Sequence, residues 1–375
     1  MTQPIQRIGV LTSGGDCAGL NAVIRAVAYR AIGTYGWEVF GIVDGTLGLI
    51  ERPLRYRRLD LQFFTNSHLR EGGTLLGTTN KGDPFAFPMP DGSHRDRSAD
   101  FVEGVRELGL DALVVIGGDG SMKIVSRLCA AGNIGMVGVP KTIDNDVHGT
   151  DTSVGFSTAS NVVTEALDRL QPTAASHHRV MILEVMGRDA GHIALNAGIS
   201  GGADVILMPE VPYSLEGVAE KIRSVLQDEG RSHALVVVAE GCHTAGGETP
   251  TISYSGEQQR YGGIGHYLMD RISDMTGAET RVTILGHVQR GGTPSMHDRL
   301  LASAFGVNAV DLVARGEFGK MVAWQHRSVV AVPLDNVTIG PRALDPAGTL
   351  MHTARGLGIY CGNFDRLATD DAKGL

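Results

Sequence analysis

The sequence has 375 residues, of which 42% are hydrophobic and 20% are charged, so it is long enough for one large or two medium domains with a sizeable core. Its formal net charge of −8 argues against a nucleic-acid-binding protein, because such proteins usually carry a basic face. No apolar run reaches membrane-spanning length, no signal peptide precedes the first strand, and the four cysteines lack metal-like spacing, so we expect a cytoplasmic protein with reduced thiols.

The first predicted structural elements are a strand, a glycine loop and a helix. Residues 8–11 form an apolar strand, and residues 20–32 repeat apolar positions with helical spacing. The loop between them contains Gly14, Gly15 and Asp16. Gly15 is therefore a candidate phosphate contact, and an ordinary turn between strand and helix is the alternative.

A long polar stretch follows the second predicted strand, residues 39–43. It runs from Gly72 to about Ser98 and contains Asn80 and Lys81. Loops of this length inside compact domains are usually functional or disordered. We single out Lys81 because its long side chain could reach a phosphate.

The next predicted strand, residues 112–116, ends in Gly-Gly-Asp-Gly-Ser at residues 117–121. These glycines let the backbone turn sharply and approach a ligand closely, and we expect Ser121 to cap a helix over residues 122–131. A helix start of this kind favours phosphate, and Asp119 is a hard oxygen ligand suited to Mg²⁺. The spacing matches neither the P-loop nor the dinucleotide-binding pattern.

The strand predicted at residues 134–139 leads into Pro140–Asp146, which reads Pro-Lys-Thr-Ile-Asp-Asn-Asp. Ligands of open α/β sheets bind at the carboxyl ends of strands, where we expect this heptapeptide to lie. It brings a lysine, a hydroxyl and two carboxylates together. Together with residues 117–121 it can hold the two halves of a phosphoryl transfer, and an Asx-type turn is the alternative.

The alternation of strands and helices resumes after Asp146. Alternation of this kind indicates parallel sheets covered by helices. We therefore predict an α/β fold of two doubly wound lobes with largely parallel sheets. The larger lobe comprises residues 1–155 and roughly 291–340, and the smaller one comprises residues 156–290 and the C-terminal tail.

Three predicted strands of the smaller lobe end in charged residues. Arginine binds phosphate at two points, while glutamate and histidine suit sugar hydroxyls. Each residue alone is more often a surface or hydrogen-bonded side chain, but their shared placement at strand ends favours a phosphorylated polyol as ligand. The residues are Arg188, Glu240, His287 and Arg290, with Arg281 just before one strand.

From nearly its first residue to about Val313, the sequence resembles the 6-phosphofructokinase family. The matching blocks are residues 9–16, 117–121, 140–146, 184–188 (Glu-Val-Met-Gly-Arg) and 286–292 (Gly-His-Val-Gln-Arg-Gly-Gly). The resemblance implies a two-lobed α/β fold that usually assembles as a homotetramer, and a homodimer is the alternative. It also implies transfer of a phosphoryl group to the 1-hydroxyl of fructose 6-phosphate in glycolysis, with Mg²⁺ as cofactor, a donor-binding larger lobe and a sugar-phosphate-binding smaller lobe.

The resemblance also implies a role for each matching residue. Asp144 matches the catalytic base, Thr142 and Asp146 match its neighbours around the transferred group, and Asp119 matches the acid that binds Mg²⁺. Lys141 and Arg188 add positive charge at the phosphates. The donor-phosphate residues are Gly15, Gly118, Gly120 and Ser121, with Asn80 or Lys81 in place of an arginine of the donor loop. The sugar-phosphate residues are Met186, Gly187, Arg188, Glu240, His287 and Arg290, with Arg179 and Arg281 reaching in from a neighbouring subunit.

Two positions point to different phosphoryl donors. Pyrophosphate-dependent relatives have a lysine at the position of Lys141, whereas Gly120 is the residue of ATP-dependent members and pyrophosphate users have aspartate there. We predict ATP, because an aspartate at position 120 would block the inner phosphate of a nucleotide, whereas a lysine only adds a cation. Pyrophosphate is the alternative donor.

Other functions share only some of these features. NAD kinases and lipid kinases also use a Gly-Gly-Asp-Gly loop, but they do not account for residues 140–146 or 286–292. A non-catalytic sugar-phosphate sensor is disfavoured because Asp144 and Asp119 are both present.

The resemblance also concerns regulation. Allosteric bacterial relatives bind nucleotide or phosphoenolpyruvate in a basic pocket between subunits. Here Arg25 is kept, but Tyr29 and residues 231–233 (Arg-Ser-His) stand where further basic residues are expected. We therefore predict a weak response to anionic effectors.

Overall fold

The computed structural model describes residues 5–80, 82–244, 246–248, 250–253 and 259–362, and the side chains of residues 252–260 lie outside the description. The chain divides into two units. The first unit comprises the described residues up to Thr158 together with Arg290–Pro341, and the second comprises Ala159–Gln289 together with the described residues from Arg342 onward.

Strands and helices alternate along most of the described chain. The strands are β1 (Arg7–Thr12), β2 (Glu38–Ile42), β3 (Tyr56–Leu59), β4 (Phe87–Pro88), β5 (His94–Arg95), β6 (Ala112–Gly117), β7 (Gly135–Thr142), β8 (Val154–Gly155), β9 (Val180–Val185), β10 (Val205–Leu207), β11 (Ala234–Ala239), β12 (Thr251–Ser253), β13 (Gln259–Tyr261), β14 (Thr280–Ile284), β15 (Lys320–Gln325) and β16 (Ser328–Pro333). The helices are α1 (Leu20–Tyr35), α2 (Leu47–Ile50), α3 (Ser98–Glu107), α4 (Asp119–Gly132), α5 (Phe156–His177), α6 (His192–Ser200), α7 (Leu215–Arg223), α8 (Ile264–Thr276), α9 (Met296–Ala314) and α10 (Thr349–Gly356).

The first unit is built on an eight-stranded sheet in the order β16-β15-β7-β6-β1-β2-β3, with β8 paired to β7. The five strands from β15 to β2 are parallel, and the edge strands β16 and β3 pair antiparallel. Every residue of β6 is buried, as expected for a parallel strand covered on both faces. The carboxyl ends of β1, β6 and β7 therefore lie side by side at one edge.

The helices of the first unit cover this sheet with an apolar core. Its largest fully buried side chains include Phe101 of α3 and Phe305 of α9. Helix α9 packs on α1 at Gly306, where a Cβ would lie 2.6 Å from the Cβ of Ala26. The absence of a side chain at Gly306 thus permits the close approach of two helices that are far apart in sequence.

The second unit has a four-stranded sheet in the order β10-β11-β9-β14, with every pair parallel. Strands β9 and β11 are buried along their whole length. Tyr360, near the end of the described chain, adds a bridge to Val205 of β10. The two largely parallel sheets confirm the predicted α/β fold class.

Three local features of the structure go beyond what the sequence predicts. Strand β7 does not end at Val139 but continues to Thr142, because Lys141 and Thr142 pair with the short strand β8. The region beyond Gly316 contains β15, β16 and α10, although its sequence shows little periodicity. Helix α7 ends at Arg223 and is followed by a π-helical turn, Ser224–Asp228.

Two predictions made from composition can be compared with the structure. The four cysteines are buried and carry free thiols, as predicted. Among the described residues, every helix is too short or too polar to cross a membrane.

Candidate active site

The first two glycine loops meet at the carboxyl ends of neighbouring strands β1 and β6. The Ser13 N–H donates to the Ile116 carbonyl at 2.9 Å. Gly14 has a φ of 84°, and a Cβ at this position would lie 3.0 Å from Ser121 Oγ and 3.5 Å from Lys141 Nζ. The positive φ favours glycine here, and a side chain would also crowd Ser121 Oγ.

Two cations border the loop after β1. The Lys141 ammonium donates to the carbonyl oxygen of Ser13 at 3.1 Å and also to that of Gly15. Arg290 Nη1 donates to the carbonyl oxygen of Asp16 at 3.1 Å, and it lies 2.7 Å from the place of a Cβ on Gly15. Arg290, predicted for the sugar-phosphate pocket, thus contacts the predicted donor loop within the first unit. The two cations make this loop a favourable place for a phosphate.

The predicted cap at Ser121 is wrong. Helix α4 begins at Asp119, its N-cap is Gly118 in an extended conformation, and that cap has no side-chain hydrogen bond. The backbone thus changes from extended to helical between Gly118 and Asp119, and Gly120 is part of the helix. The first backbone N–H groups of α4 therefore have no acceptor within the helix and can donate to a ligand at its start. Ser121 lies in the first turn of this helix.

Asp119 and Gly120 are accessible at this helix start. The Asp119 carboxylate makes no hydrogen bond or ion pair with another side chain or backbone group in the described chain. A Cβ on Gly120 would meet no described atom within 4 Å. A carboxylate held by a helix start beside a phosphate-binding loop suits Mg²⁺, which is usually bound by one or two carboxylates together with substrate phosphates.

The segment after β7 is held by its own polar side chains. The Asp144 N–H donates to Thr142 Oγ1 at 3.1 Å, and Thr142 Oγ1 donates to Asp144 Oδ2 at 3.4 Å. Asp144 and Asp146 are 4% and 7% exposed. Burial of two carboxylates so close together is costly, and such groups occur more often at functional sites than elsewhere.

Asn145, which the sequence analysis did not select, fixes this segment. Its φ is 54°, an angle that asparagine tolerates better than most residues. Its Oδ1 accepts from the Ser153 N–H at 3.0 Å, and its Nδ2 donates to the Asp151 carbonyl at 3.2 Å. Ser153 Oγ in turn donates to the Thr142 carbonyl at 2.8 Å, so the loop that carries Asp144 is closed on itself.

In the second unit, the predicted sugar-phosphate residues follow neighbouring strands. The Arg188 N–H, after β9, donates to Oε1 of Glu240, after β11, at 3.2 Å. Arg188 is exposed and has a φ of 51°, an uncommon angle that is often found at functional sites. A Cβ on Gly241 would lie 2.0 Å from the Arg188 carbonyl oxygen, so only glycine allows this packing.

Gln289 is a second residue that the sequence analysis did not select. Its Oε1 accepts from the N–H of Met186 at 2.7 Å, and it is 1% exposed. It thereby ties the turn after β14, which carries exposed His287, to the segment that begins at Met186 and Gly187. Only its place inside a matching block of the sequence could have drawn attention to it.

Arg179 and Arg281 lie elsewhere in the second unit. Arg179 precedes β9 and Arg281 lies near the start of β14, and both ion-pair with Glu279. The hydrogen bond from Arg179 lowers the pKa of Glu279. Because β9 has six residues, about 20 Å of strand separates Arg179 from Met186 at its other end. The structure therefore does not bring these arginines to the pocket residues of their own unit.

Asn80 and Lys81 are the two candidate residues of the donor loop. Asn80 is exposed, and the neighbouring Thr79 carbonyl accepts from the Gly14 N–H at 2.9 Å. Lys81 lies outside the described residues. The polar loop thus reaches the first glycine loop through Thr79.

Comparisons with known proteins identify relatives along nearly the whole chain. A family model described as Phosphofructokinase matches residues 7–313. The ATP-dependent 6-phosphofructokinase 1 of Synechocystis sp. is 59% identical over 360 residues, which cover 96% of this chain and 99% of the relative. The ATP-dependent 6-phosphofructokinase of Chloroflexus aurantiacus is 48% identical over 367 residues, covering 97% and 99%.

Solved structures share the fold. Phosphofructokinase from Pichia pastoris in the T-state has a TM-score of 0.78 and 31% identity, over 90% of this chain and 36% of that longer chain. Pyrophosphate-dependent phosphofructokinase from Nitrosospira multiformis also has a TM-score of 0.78, with 19% identity, over 96% of this chain and 93% of that one. The second likeness shows the fold alone.

Proposed function

This chain belongs to the phosphofructokinase family, and we propose that it transfers the γ-phosphoryl group of ATP to the 1-hydroxyl of fructose 6-phosphate in the cytoplasm. The observation that carries the proposal is 59% identity, over 96% of the chain, to a relative named ATP-dependent 6-phosphofructokinase 1. The products are ADP and fructose 1,6-bisphosphate. This agrees with the activity and donor predicted from the sequence.

Asp144 is the proposed general base. The oxygen of the 1-hydroxyl attacks the γ-phosphorus, the bond from that phosphorus to the bridging oxygen breaks, and the hydroxyl proton passes to the Asp144 carboxylate. Phosphoryl transfer depends mainly on positioning and charge neutralisation. The Thr142–Asp144 hydrogen bonds support this role because they orient the carboxylate.

The donor is proposed to bind at the loops after β1 and β6, where Gly15, Gly118, Gly120 and Ser121 lie. Amides at the start of α4 and the guanidinium of Arg290 would bind its phosphates. Asp119 is proposed to hold Mg²⁺, which would offset the negative charge of the donor phosphates.

The sugar phosphate is proposed to bind in the second unit at Met186, Gly187, Arg188, Glu240 and His287. The backbone N–H of Arg188 donates to the Glu240 carboxylate, so an arginine and a glutamate belong to the same group of strand ends, a combination that suits a phosphate next to sugar hydroxyls. Arg179 and Arg281 would complete the pocket of a neighbouring subunit in a homotetramer. Their position about 20 Å along the sheet from Met186 supports this assignment.

The donor choice can be tested at Gly120. We expect wild-type protein to have a far higher kcat/KM with ATP than with pyrophosphate in a coupled assay. Gly120→Asp should lower kcat/KM for ATP roughly 10- to 100-fold, because an uncompensated negative charge near phosphate costs about 1–3 kcal/mol. The space around Gly120 and its place in the first turn of α4 mean that the aspartate should not harm folding.

Gly120→Asn is the matched control, because asparagine has nearly the same size as aspartate without its charge. It should lose less ATP activity than Gly120→Asp if charge dominates. Wild-type protein that prefers pyrophosphate would refute the proposed donor. Equal losses in both variants would refute the electrostatic explanation.

We also expect a weak response to ADP or phosphoenolpyruvate as effectors. Arg231 already forms a two-point pair with Asp204, at 2.5 and 3.3 Å, and the Arg25 guanidinium stacks over Tyr29 at 4.1 Å. Each charged contact to an effector contributes about 1.5–3 kcal/mol, so cations engaged elsewhere weaken binding. The measurement is fructose 6-phosphate saturation with and without each effector. Strongly sigmoidal kinetics relieved by micromolar ADP would contradict the prediction.

A further inference from the structure

Lys141 is a buried cation whose partners are backbone carbonyl groups. Lys141 is 3% exposed, and its ammonium group donates to the carbonyl oxygens of Ser13 and Gly15. These two oxygens belong to the loop after β1, whereas Lys141 belongs to β7. The lysine therefore ties the loop to a strand that is not its neighbour in the sheet.

Lys141 is held without a carboxylate partner in the described part of the chain, although its surroundings are buried and charged. The charged and titratable groups that face Lys141 are Cys17, Arg290, Asp144 and Asp16. Burial lowers the pKa of Lys141, and the nearby Arg290 lowers it further, while Asp144 and Asp16 act in the opposite sense. No ion pair links Lys141 to a carboxylate within the described residues. Carbonyl oxygens are thus its direct partners, and these are the ligands that K⁺ prefers in proteins.

We propose that Lys141 is a positioning residue that replaces a bound monovalent cation between the Ser13 and Gly15 carbonyl groups and so fixes the donor loop. The inference rests on the proposed function, because it assumes that this loop binds the donor. An ammonium engaged with two carbonyl oxygens is not available as a full phosphate ligand. This explains how a lysine typical of pyrophosphate users occurs beside Gly120 in an ATP-dependent enzyme.

The proposal predicts a new dependence on monovalent cations when the side chain is removed. In Lys141→Gly the two carbonyl groups remain, and K⁺ or ammonium can occupy the space that the ammonium group of the lysine leaves. In Lys141→Met the apolar side chain fills the same space, so neither cation can enter. Wild-type protein should be indifferent to the cation.

The test measures ADP affinity by calorimetry in KCl, NH₄Cl or tetramethylammonium chloride at equal ionic strength. In tetramethylammonium, which is too large for the site, Lys141→Gly should bind ADP roughly 10- to 100-fold more weakly than wild type. K⁺ or ammonium should restore most of this affinity. Lys141→Met should be weakened in all three salts.

The thermal unfolding midpoint of Lys141→Gly is a second measurement that does not require ADP. K⁺ should raise it relative to tetramethylammonium, and the same exchange should leave wild type unchanged. A folded Lys141→Gly whose ADP affinity and midpoint are both independent of the cation would overturn the proposal, as would a midpoint effect without any effect on ADP affinity. Failure of wild-type protein to bind ADP would instead refute the proposed function, and the midpoint would still test the cation site.

Discussion

Asp144→Asn is expected to lower kcat by roughly 10²–10⁴, the range expected when a general base is removed. The asparagine carbonyl can still accept from Thr142 Oγ1, and the backbone N–H of residue 144 can still donate to the same hydroxyl, as in the wild-type protein. The loop should therefore keep its shape while it loses the group that accepts the proton. The measurement is steady-state kinetics with fructose 6-phosphate and ATP.

The same experiment needs evidence that only the chemical step has changed. The affinity for fructose 6-phosphate and the thermal unfolding midpoint should stay close to those of wild type. Asp151→Asn is a matched control, because Asp151 lies on the same loop but is exposed, and its carboxylate accepts, within the described chain, from the His326 N–H at 3.3 Å. It should retain near-normal turnover. Near-normal turnover in Asp144→Asn itself would remove Asp144 from the role of base.

Two inactive variants are expected to restore activity when they assemble together. Arg281→Ala should raise the KM for fructose 6-phosphate roughly 10- to 100-fold, since a lost charged contact costs about 1.5–3 kcal/mol. If Arg281 serves a neighbouring subunit, an intact site needs Asp144 from one chain and Arg281 from another. Random mixing of Asp144→Asn and Arg281→Ala chains in a symmetric oligomer then leaves about a quarter of the sites intact.

The assay follows activity at low fructose 6-phosphate after the two variants are unfolded and refolded together. The activity of each variant refolded alone gives the background activity. Arg169→Ala is the control partner, because Arg169 is highly exposed and its ion-pair partner among the described residues is Glu165 in the adjacent helical turn. Its mixture with Asp144→Asn should lose activity only in proportion to the inactive chains. Mixed assemblies of Asp144→Asn and Arg281→Ala with no regained activity would show that sites are not shared.

The sequence best predicts features that depend on neighbouring residues along the chain, such as the limits of buried strands. Strand β6 begins at Ala112 in prediction and structure and ends at Gly117, one residue later than predicted, because an apolar run between turn residues specifies a buried strand. The segment 117–121 was correctly expected at a strand end. Its helix, however, starts at Asp119 rather than after Ser121, because the permissive backbone of glycine gives no local signal for where a helix begins.

Contacts between distant residues could not be predicted in the same way. Gln289 bonds to Met186 across 103 positions, and Asp298 accepts from the Gly155 N–H across 143 positions. Such pairs depend on how strands are ordered in a sheet, and no short pattern records that order. The direction of the Lys141 side chain is a similar case, since the residue type indicated a cation but not its carbonyl partners.

The interleaving of the two units has a consequence for synthesis on the ribosome. Strand β15 pairs with β7 in the first unit, and Tyr360 bridges to β10 in the second. Both partners are translated after Arg290, so neither unit can complete its sheet while the chain is still growing through Gln289. Until then, the unpaired edges of β7 and β10 are exposed to other nascent chains, and open edges of this kind promote aggregation. Translation of the roughly 70 residues from Arg290 to Tyr360 takes about 4–14 s at 5–20 residues per second, and this sets the period during which a chaperone would have to protect both edges.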